Sequence, residues 1–95
     1  MLYMIKSFKH KGLQKFHETG SVAGINVANK TKISMRFVAL DTASCIDDMD
    51  LPGFRLHPLK GVLEGVWAID VNKNWRITFE FKNGDAYIVN YEDYH

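Results

Sequence analysis

The chain has 95 residues, with 12 Lys and Arg against 11 Asp and Glu, for a formal net charge of +1. Its length and its 46% of hydrophobic residues predict one globular domain over residues 1–95. No apolar run approaches the roughly 18 residues of a membrane span, and residues 1–12 lack the apolar region of a secretory signal. The single Cys45 excludes an internal disulfide and a thiolate zinc cluster and favours a cytoplasmic location.

The charge is unevenly distributed along the chain. Residues 1–40 carry a net +6, residues 41–54 a net −4, and residues 83–95 a net −3. The small net charge therefore does not exclude a nucleic-acid partner. A solvated helix face explains the lysines of the N-terminal half as well as a phosphate-binding face does.

The N-terminal half has helical periodicity after a short apolar start. Residues 2–6 predict a first strand, and residues 9–18 predict a short helix with Leu13 and Phe16 on one face. Gly20 ends that helix. A longer helix is predicted over residues 26–44, where apolar and basic side chains lie on different faces. The apolar stripe is Ile33, Phe37 and Leu40, and the basic residues off it are Lys30, Lys32 and Arg36.

The C-terminal half has the alternation of strands. Four strands are predicted, at residues 54–59, 66–71, 75–81 and 86–91. Pro58 interrupts the first and favours an edge strand or an irregular strand end. Asn83–Gly84 is the strongest hairpin signal because both residues accept the positive φ of a type I′ turn. Two N-terminal helices packed on a small twisted antiparallel sheet, in the order β-α-α-β-β-β(-β), make an α+β fold.

Arg76 is the most informative single position. Trp75, Ile77, Phe79 and Phe81 define the core face of their strand, so Arg76 points to the opposite face with Thr78 and Glu80. An arginine on a rigid sheet suits recognition of a phosphate by its planar fork. A solvent-facing arginine, or one paired with Glu80, explains the alternation equally well.

Further titratable groups lie near Pro58 and at the C-terminal end. His57 is a candidate proton carrier, and Lys60 a candidate for stabilising charge on a phosphate, although a surface His–Lys pair is commonly structural. Asp93, Tyr94 and His95 follow a predicted strand that would hold them in place, although such a terminus is commonly a frayed tail. Tyr87 and Tyr91 are assigned to one face of the last strand.

Metal and nucleotide cofactors have no support in the sequence. The histidines His10, His17, His57 and His95 form no i, i+4 pair and no HExxH motif, so no metal site is predicted. Neither a GxGxxG motif nor a P-loop is present. We therefore expect a protein without a cofactor.

Taken together, several motifs resemble the HigB toxins of the RelE/ParE toxin–antitoxin superfamily, also called plasmid maintenance system killer proteins. They span nearly the whole chain: MIKSFKHKGL at residues 4–13, LPGFRLHPLKG at 51–61, WAI at 67–69, NWRITF at 74–79, NGDA at 83–86 and DYH at 93–95. Each motif alone is weak, but their combination is specific.

The resemblance implies a RelE/ParE-like microbial RNase fold and a ribosome-dependent mRNA interferase that inhibits translation and growth. Such a toxin cuts translated mRNA in the A site of the 70S ribosome without a metal, by attack of the RNA 2′-hydroxyl. The resemblance also implies that a HigA-like helix-turn-helix antitoxin neutralises the toxin. The toxin would contact operator DNA only through this antitoxin, and no membrane partner is implied. The residues at the positions that this family uses for activity are His57, Lys60, Arg76, Asp93, Tyr94 and His95.

Two other functions fit the same fold. A ParE-like toxin binds and inhibits DNA gyrase without nuclease activity, and a noncatalytic interaction module carries an incidental cluster of titratable residues. A gyrase-binding protein has no need of His57, Arg76 and the Asp93–His95 segment together. That constellation therefore favours the endoribonuclease.

Overall fold

The computed structural model describes residues 4–59 and 65–93, and it has the predicted α+β architecture. Two α-helices lie against one face of a four-stranded antiparallel sheet, whose strands follow one another in the order β1-β2-β3-β4. The elements are α1 (Lys11–Thr19), α2 (Lys30–Thr42), β1 (His57–Pro58), β2 (Val66–Asp70), β3 (Trp75–Lys82) and β4 (Asp85–Asp93). Among the described residues, neither α-helix has the length and apolar character that a membrane span requires.

α1 matches the predicted first helix to within two residues at its start. Leu13 and Phe16 are buried, as their spacing predicts. The helix ends at Gly20, whose φ of 79° is the left-handed conformation that glycine adopts without strain. At the other end, the Nδ1 atom of His10 accepts a hydrogen bond of 3.0 Å from the backbone N–H of Leu13. His10 is therefore the N-cap of α1.

The His10 cap makes α1 sensitive to acid. Burial lowers the pKa of His10 from its ordinary 6.5, so the unfolded chain binds this proton more tightly than the folded one. The cap thus stabilises the fold above pH 6.5 and is lost as the pH falls through the lower folded pKa. Between pH 7.5 and pH 5, we expect the wild type to lose about 1 kcal/mol of stability through this cap, or about 4–8 °C in melting temperature.

The variant His10→Asn keeps a capping oxygen that does not titrate. Thermal melts at the two pH values are therefore expected to show a smaller acid loss for this variant than for the wild type. An equal acid loss in the two proteins would contradict the role of His10.

The second predicted helix is divided into two parts. Val27–Asn29 is a 3₁₀ turn, and α2 follows from Lys30. Arg36 was predicted on the polar face of this helix, but it is buried at the i+3 position from Ile33. Its guanidinium stacks 4.3 Å from the ring centroid of Phe54, and its Nε donates to the backbone oxygen of Asp70 at 2.9 Å. Burial of this arginine is tolerated because its donors are used.

β3 and the hairpin after it confirm the predicted alternation and turn. Ile77 and Phe79 are fully buried, and Trp75 and Phe81 pack against the core from its edges. The two turn residues, Asn83 and Gly84, have φ values of 53° and 83°. These positive angles match a type I′ turn and align Lys82 with Asp85.

β4 contains a bulge that the sequence pattern did not predict. Thr78 pairs with Asn90 while Glu80 pairs with Tyr87, so Phe79 is opposed by the two residues Ile88 and Val89. The extra residue exchanges the faces of everything after it. The assignment of Tyr87 and Tyr91 to one face is therefore wrong: Tyr91 packs in the core, and Tyr87 lies on the face of Glu80.

The predicted strand over residues 2–6 is replaced, in its described part, by isolated contacts. Ile5 forms a parallel bridge with Ala86, and Phe8 forms another with Val89. Between these bridges the backbone N–H of Ile88 donates to the Ser7 hydroxyl at 2.8 Å instead of to a backbone oxygen. The bulge thus interrupts the ladder and prevents a continuous first strand.

The predicted strand over residues 54–59 is only two residues long. Arg55 has a φ of 50°, which is outside the extended region, and Pro58 has no N–H to donate. β1 pairs at the edge of the sheet with Ala68 and Trp67 of β2. Pro58 therefore lies on an edge strand, as predicted.

Candidate functional site on the outer face of the sheet

The candidate site lies on the outer face of the sheet, defined as the face of Arg76, Thr78 and Glu80 that points away from the two helices. Directly opposed residues of antiparallel strands share a face. One such row runs across all four strands through His57, Ala68, Thr78 and Asn90. The next row contains Asp70, Arg76 and Glu92. His57 and Arg76, which are 19 residues apart in the sequence, therefore lie on the same face.

Arg76 is held in place by its neighbour on β4. Its Nε and Nη2 atoms lie 2.7 and 2.6 Å from the same oxygen, Oε1 of Glu92. The sequence alternative named Glu80, but the carboxylate of Glu80 lies 3.4 Å from Lys82. Glu92 takes the ion pair because the bulge makes it the direct cross-strand neighbour of Arg76. The side chain of Arg76 is 21% exposed, so it is oriented yet accessible from the outer face.

The ring of His57 has a defined tautomer. Its Nδ1 atom lies 2.6 Å from the backbone oxygen of Arg55. A carbonyl oxygen can only accept, so Nδ1 carries the hydrogen. In the neutral ring the lone pair is then on Nε2, and this atom is the one able to take a proton from a substrate.

Of the other predicted site residues, only Asp93 is described. It is exposed at the end of β4, where the register pairs it with Trp75. Alternation therefore places Asp93 in line with Trp75 and not with Arg76. Lys60, Tyr94 and His95 lie outside the described residues. The structure thus brings His57 and Arg76 to one face and Asp93 to the end of the adjacent strand.

A cavity of about 180 Å³ opens on the outer face next to Glu92. Thr78 and Asn90 line it together with Glu92, the partner of Arg76. Thr78 is buried although it lies on the outer face, so this region is recessed. Sequence reasoning placed Thr78 on this face without giving it a role, and it did not identify Asn90 and Glu92 because the register of β4 depends on the bulge.

The sequence is similar to HigB toxins over most of its length. The family model for the RelE-like toxin HigB of type II toxin–antitoxin systems matches residues 6–95. The chain is 54% identical over 92 residues to "Endoribonuclease HigB" of Proteus vulgaris, which covers 97% of this chain and 100% of that protein. It is 31% identical over 85 residues to "Toxin HigB-1" of Vibrio cholerae serotype O1 (strain ATCC 39315 / El Tor Inaba N16961), covering 87% and 90% of the two proteins.

The chain belongs to the HigB-like toxin family. This confirms the resemblance and the α+β fold class inferred from the sequence motifs. A type II toxin is one half of a toxin–antitoxin pair, so a HigB-like toxin has an antitoxin as its partner.

Metal-ligating side chains are not clustered in the described part of this HigB-like toxin. Among residues 4–59 and 65–93, no three His, Cys, Asp or Glu side chains are grouped as a ligand set. Histidine can in general transfer protons, and arginine can stabilise anionic charge.

A buried polar network supports the strand that carries Arg76. Asn29 donates from its side chain to the Tyr91 hydroxyl and accepts at 2.7 Å from the Asn72 side chain. Asn72 in turn accepts from the backbone N–H groups of Asn74 and Trp75 at 2.8 and 3.0 Å. Burial raises the pKa of Tyr91, and the negative charge of Asp93 adds to this increase. This network fixes the turn from which β3 begins.

Proposed function

We propose that this toxin is an endoribonuclease that cuts translated mRNA in the A site of the ribosome. The observation that carries the proposal is the position of His57 and Arg76 on one recessed face, with Nε2 of His57 able to accept a proton. The relative from Proteus vulgaris is named an endoribonuclease. A guanidinium that stabilises anionic charge and an imidazole that transfers protons are groups suited to RNA cleavage without a metal.

The proposed reaction is an internal transfer at phosphorus. The 2′-hydroxyl oxygen bonds to the adjacent phosphorus as the bond from phosphorus to the 5′-oxygen breaks. A base takes the 2′ proton and an acid protonates the leaving 5′-oxygen, so the products carry a 2′,3′-cyclic phosphate and a 5′-hydroxyl. The scissile phosphate gains negative charge in the transition state, which a guanidinium stabilises.

The roles of the six candidate residues follow from their chemistry. Arg76 and Lys60 bind the scissile phosphate. His57, Asp93 and His95 share proton transfer and orientation, and Tyr94 stacks on or orients a base. The partners are the ribosome, the mRNA in its A site, and a HigA-like helix-turn-helix antitoxin through which the toxin reaches operator DNA. The cytoplasm is the compartment that these partners imply.

The decisive experiment maps the 5′ ends of one mRNA in a reconstituted translation system and, separately, without ribosomes. We expect cleavage only on translating ribosomes, with 5′-hydroxyl and cyclic phosphate ends. Cleavage of the free mRNA would disprove ribosome dependence, and 5′-phosphate ends would disprove 2′-hydroxyl attack. Inhibition of gyrase supercoiling without any mRNA cleavage would establish the gyrase-binding alternative.

A further inference from the structure

The cavity next to Glu92 is rich in hydrogen-bond acceptors. Among the described residues that line it, Glu80 and Glu92 contribute two carboxylates, which contact Lys82 and Arg76, and Lys9 contributes one ammonium group. Each carboxylate has further lone pairs beside these contacts, so this lining favours a group that donates hydrogen bonds. Thr78 and Asn90 add a hydroxyl and an amide to the same polar side.

The remaining lining of the cavity is apolar. Leu59 follows β1, Val66 begins β2 and Ile88 lies on β4, and these three side chains form the apolar part of the lining. Apolar walls with a few convergent polar groups are typical of sites that take a ligand with a hydrophobic body and a polar edge. At about 180 Å³, the cavity is smaller than the roughly 300–1,000 Å³ of pockets for whole drug-sized ligands.

Ile88 is an independent sign that this cavity is a binding site. It has a φ of 55°, a left-handed conformation that is strained for a β-branched residue. Its side chain is 47% exposed, which leaves apolar surface in water at the wall of the cavity. The Ser7 hydroxyl, bonded to its N–H, helps to hold this bulge in place. Bulges that re-aim a side chain are frequent beside active sites.

We propose that this cavity binds one nucleobase of the RNA substrate and prefers bases with an exocyclic amino group over uracil. The proposal rests on the proposed endoribonuclease function and adds a specificity site to it. The amino groups of cytosine, adenine and guanine donate to carboxylates such as those of Glu80 and Glu92. Uracil carries a carbonyl oxygen where cytosine has its amino group, and this oxygen is repelled by a carboxylate. Glu92, which contacts both Arg76 and the cavity, joins the base site to the phosphate site.

Cytidine and uridine are a matched pair for a direct binding test because they have nearly the same size. We expect NMR titration of the methyl-labelled full-length chain to shift the methyl resonances of Leu59, Val66 and Ile88. Cytidine should bind at least about fivefold more tightly than uridine, as expected for discrimination by hydrogen bonds to a base edge. Equal affinity for the two nucleosides, or no shift at these methyl groups, would overturn the proposal.

Two variants test the lining directly. Glu80→Gln should bring the affinities for cytidine and uridine close together, whereas Glu18→Gln, the same change at an exposed position of α1, should leave their ratio unchanged. The substitution Ile88→Gly is compatible with the positive φ at this position and removes one wall of the cavity. It should therefore weaken the binding of both nucleosides while the chain stays folded. The assigned lining would be refuted if Glu80→Gln kept the wild-type ratio of cytidine to uridine affinity. It would also be refuted if Ile88→Gly bound both nucleosides as tightly as the wild type does.

Cleavage mapping separates this inference from the function on which it rests. In a wild type that cuts translated mRNA, Glu80→Gln should increase the share of cuts at uridine-containing positions. Unchanged cut positions in this variant, together with equal nucleoside affinities, would refute the base site and leave the endoribonuclease intact. If the protein bound cytidine more tightly than uridine but cut no mRNA, the proposed function would be refuted and the base-binding site would still stand.

Discussion

Replacing Arg76 with alanine is expected to slow mRNA cleavage by about 100- to 1,000-fold, the usual effect of removing one group that stabilises charge in a transition state. Arg76 is fixed on the central part of the sheet by two contacts to one oxygen of Glu92. Its guanidinium therefore needs little reorganisation to meet a phosphate. The rate is measured by single-turnover cleavage of ribosome-bound mRNA.

Two further variants show whether the loss reflects the guanidinium itself. Arg76→Lys keeps the positive charge without the planar fork, so we expect an intermediate rate. Lys73→Ala removes one positive charge from an exposed position in the turn before β3 and should cleave at close to the wild-type rate. Glu92 remains partly exposed, so Arg76→Ala should stay folded in a thermal melt. Cleavage by folded Arg76→Ala within threefold of the wild type would disprove the assigned role.

Replacing Leu40 with alanine is expected to lower the free energy of unfolding by about 2–5 kcal/mol. Leu40 is fully buried on α2, in the core that joins both helices to the sheet. The change removes apolar contacts and leaves a cavity that the packed surroundings fill only in part. For a chain of 95 residues, we expect the melting temperature to fall by at least about 8 °C.

Leu51→Ala is the matched control for this loss. Leu51 is 41% exposed, so the same truncation there should change the free energy of unfolding by no more than about 0.5 kcal/mol. Urea titrations of the two variants and the wild type give both values. A loss at Leu40 no larger than the loss at Leu51 would contradict the packing of α2 on the sheet.

Local patterns were sufficient to predict most of the elements. The periodicity of Leu13 and Phe16 identified α1, and the alternation of Trp75 to Phe81 identified β3 and placed Arg76 opposite the core. The pattern failed for Arg36, because an arginine at a core position is satisfied by carbonyl oxygens and a ring distant in the sequence. No local signal contains those partners.

The pairing of strands was predictable only as far as the bulge. The two-residue turn at Asn83–Gly84 sets Lys82 opposite Asp85, and continuing that register would set Arg76 opposite Tyr91. The extra residue at Ile88 places Glu92 there instead. Likewise, the presence of His57 on the face of Arg76 depends on how β1 pairs with β2, which no turn signal in the sequence specifies. The side chains of the site were therefore predictable, but not all of their neighbours.

The bulge also constrains how the length of this chain can change. It lies between the hairpin turn and the last described residues of β4, so inserting one more residue there with the bulge kept would turn Glu92 inward and Tyr91 outward. Such an insertion would act on the sheet as a frameshift acts on a reading frame, because every later side chain would exchange its surroundings. Removing Ile88 would instead restore a regular ladder and keep Glu92 opposite Arg76, so we expect an insertion between Gly84 and Glu92 to disrupt the outer face more than this deletion does.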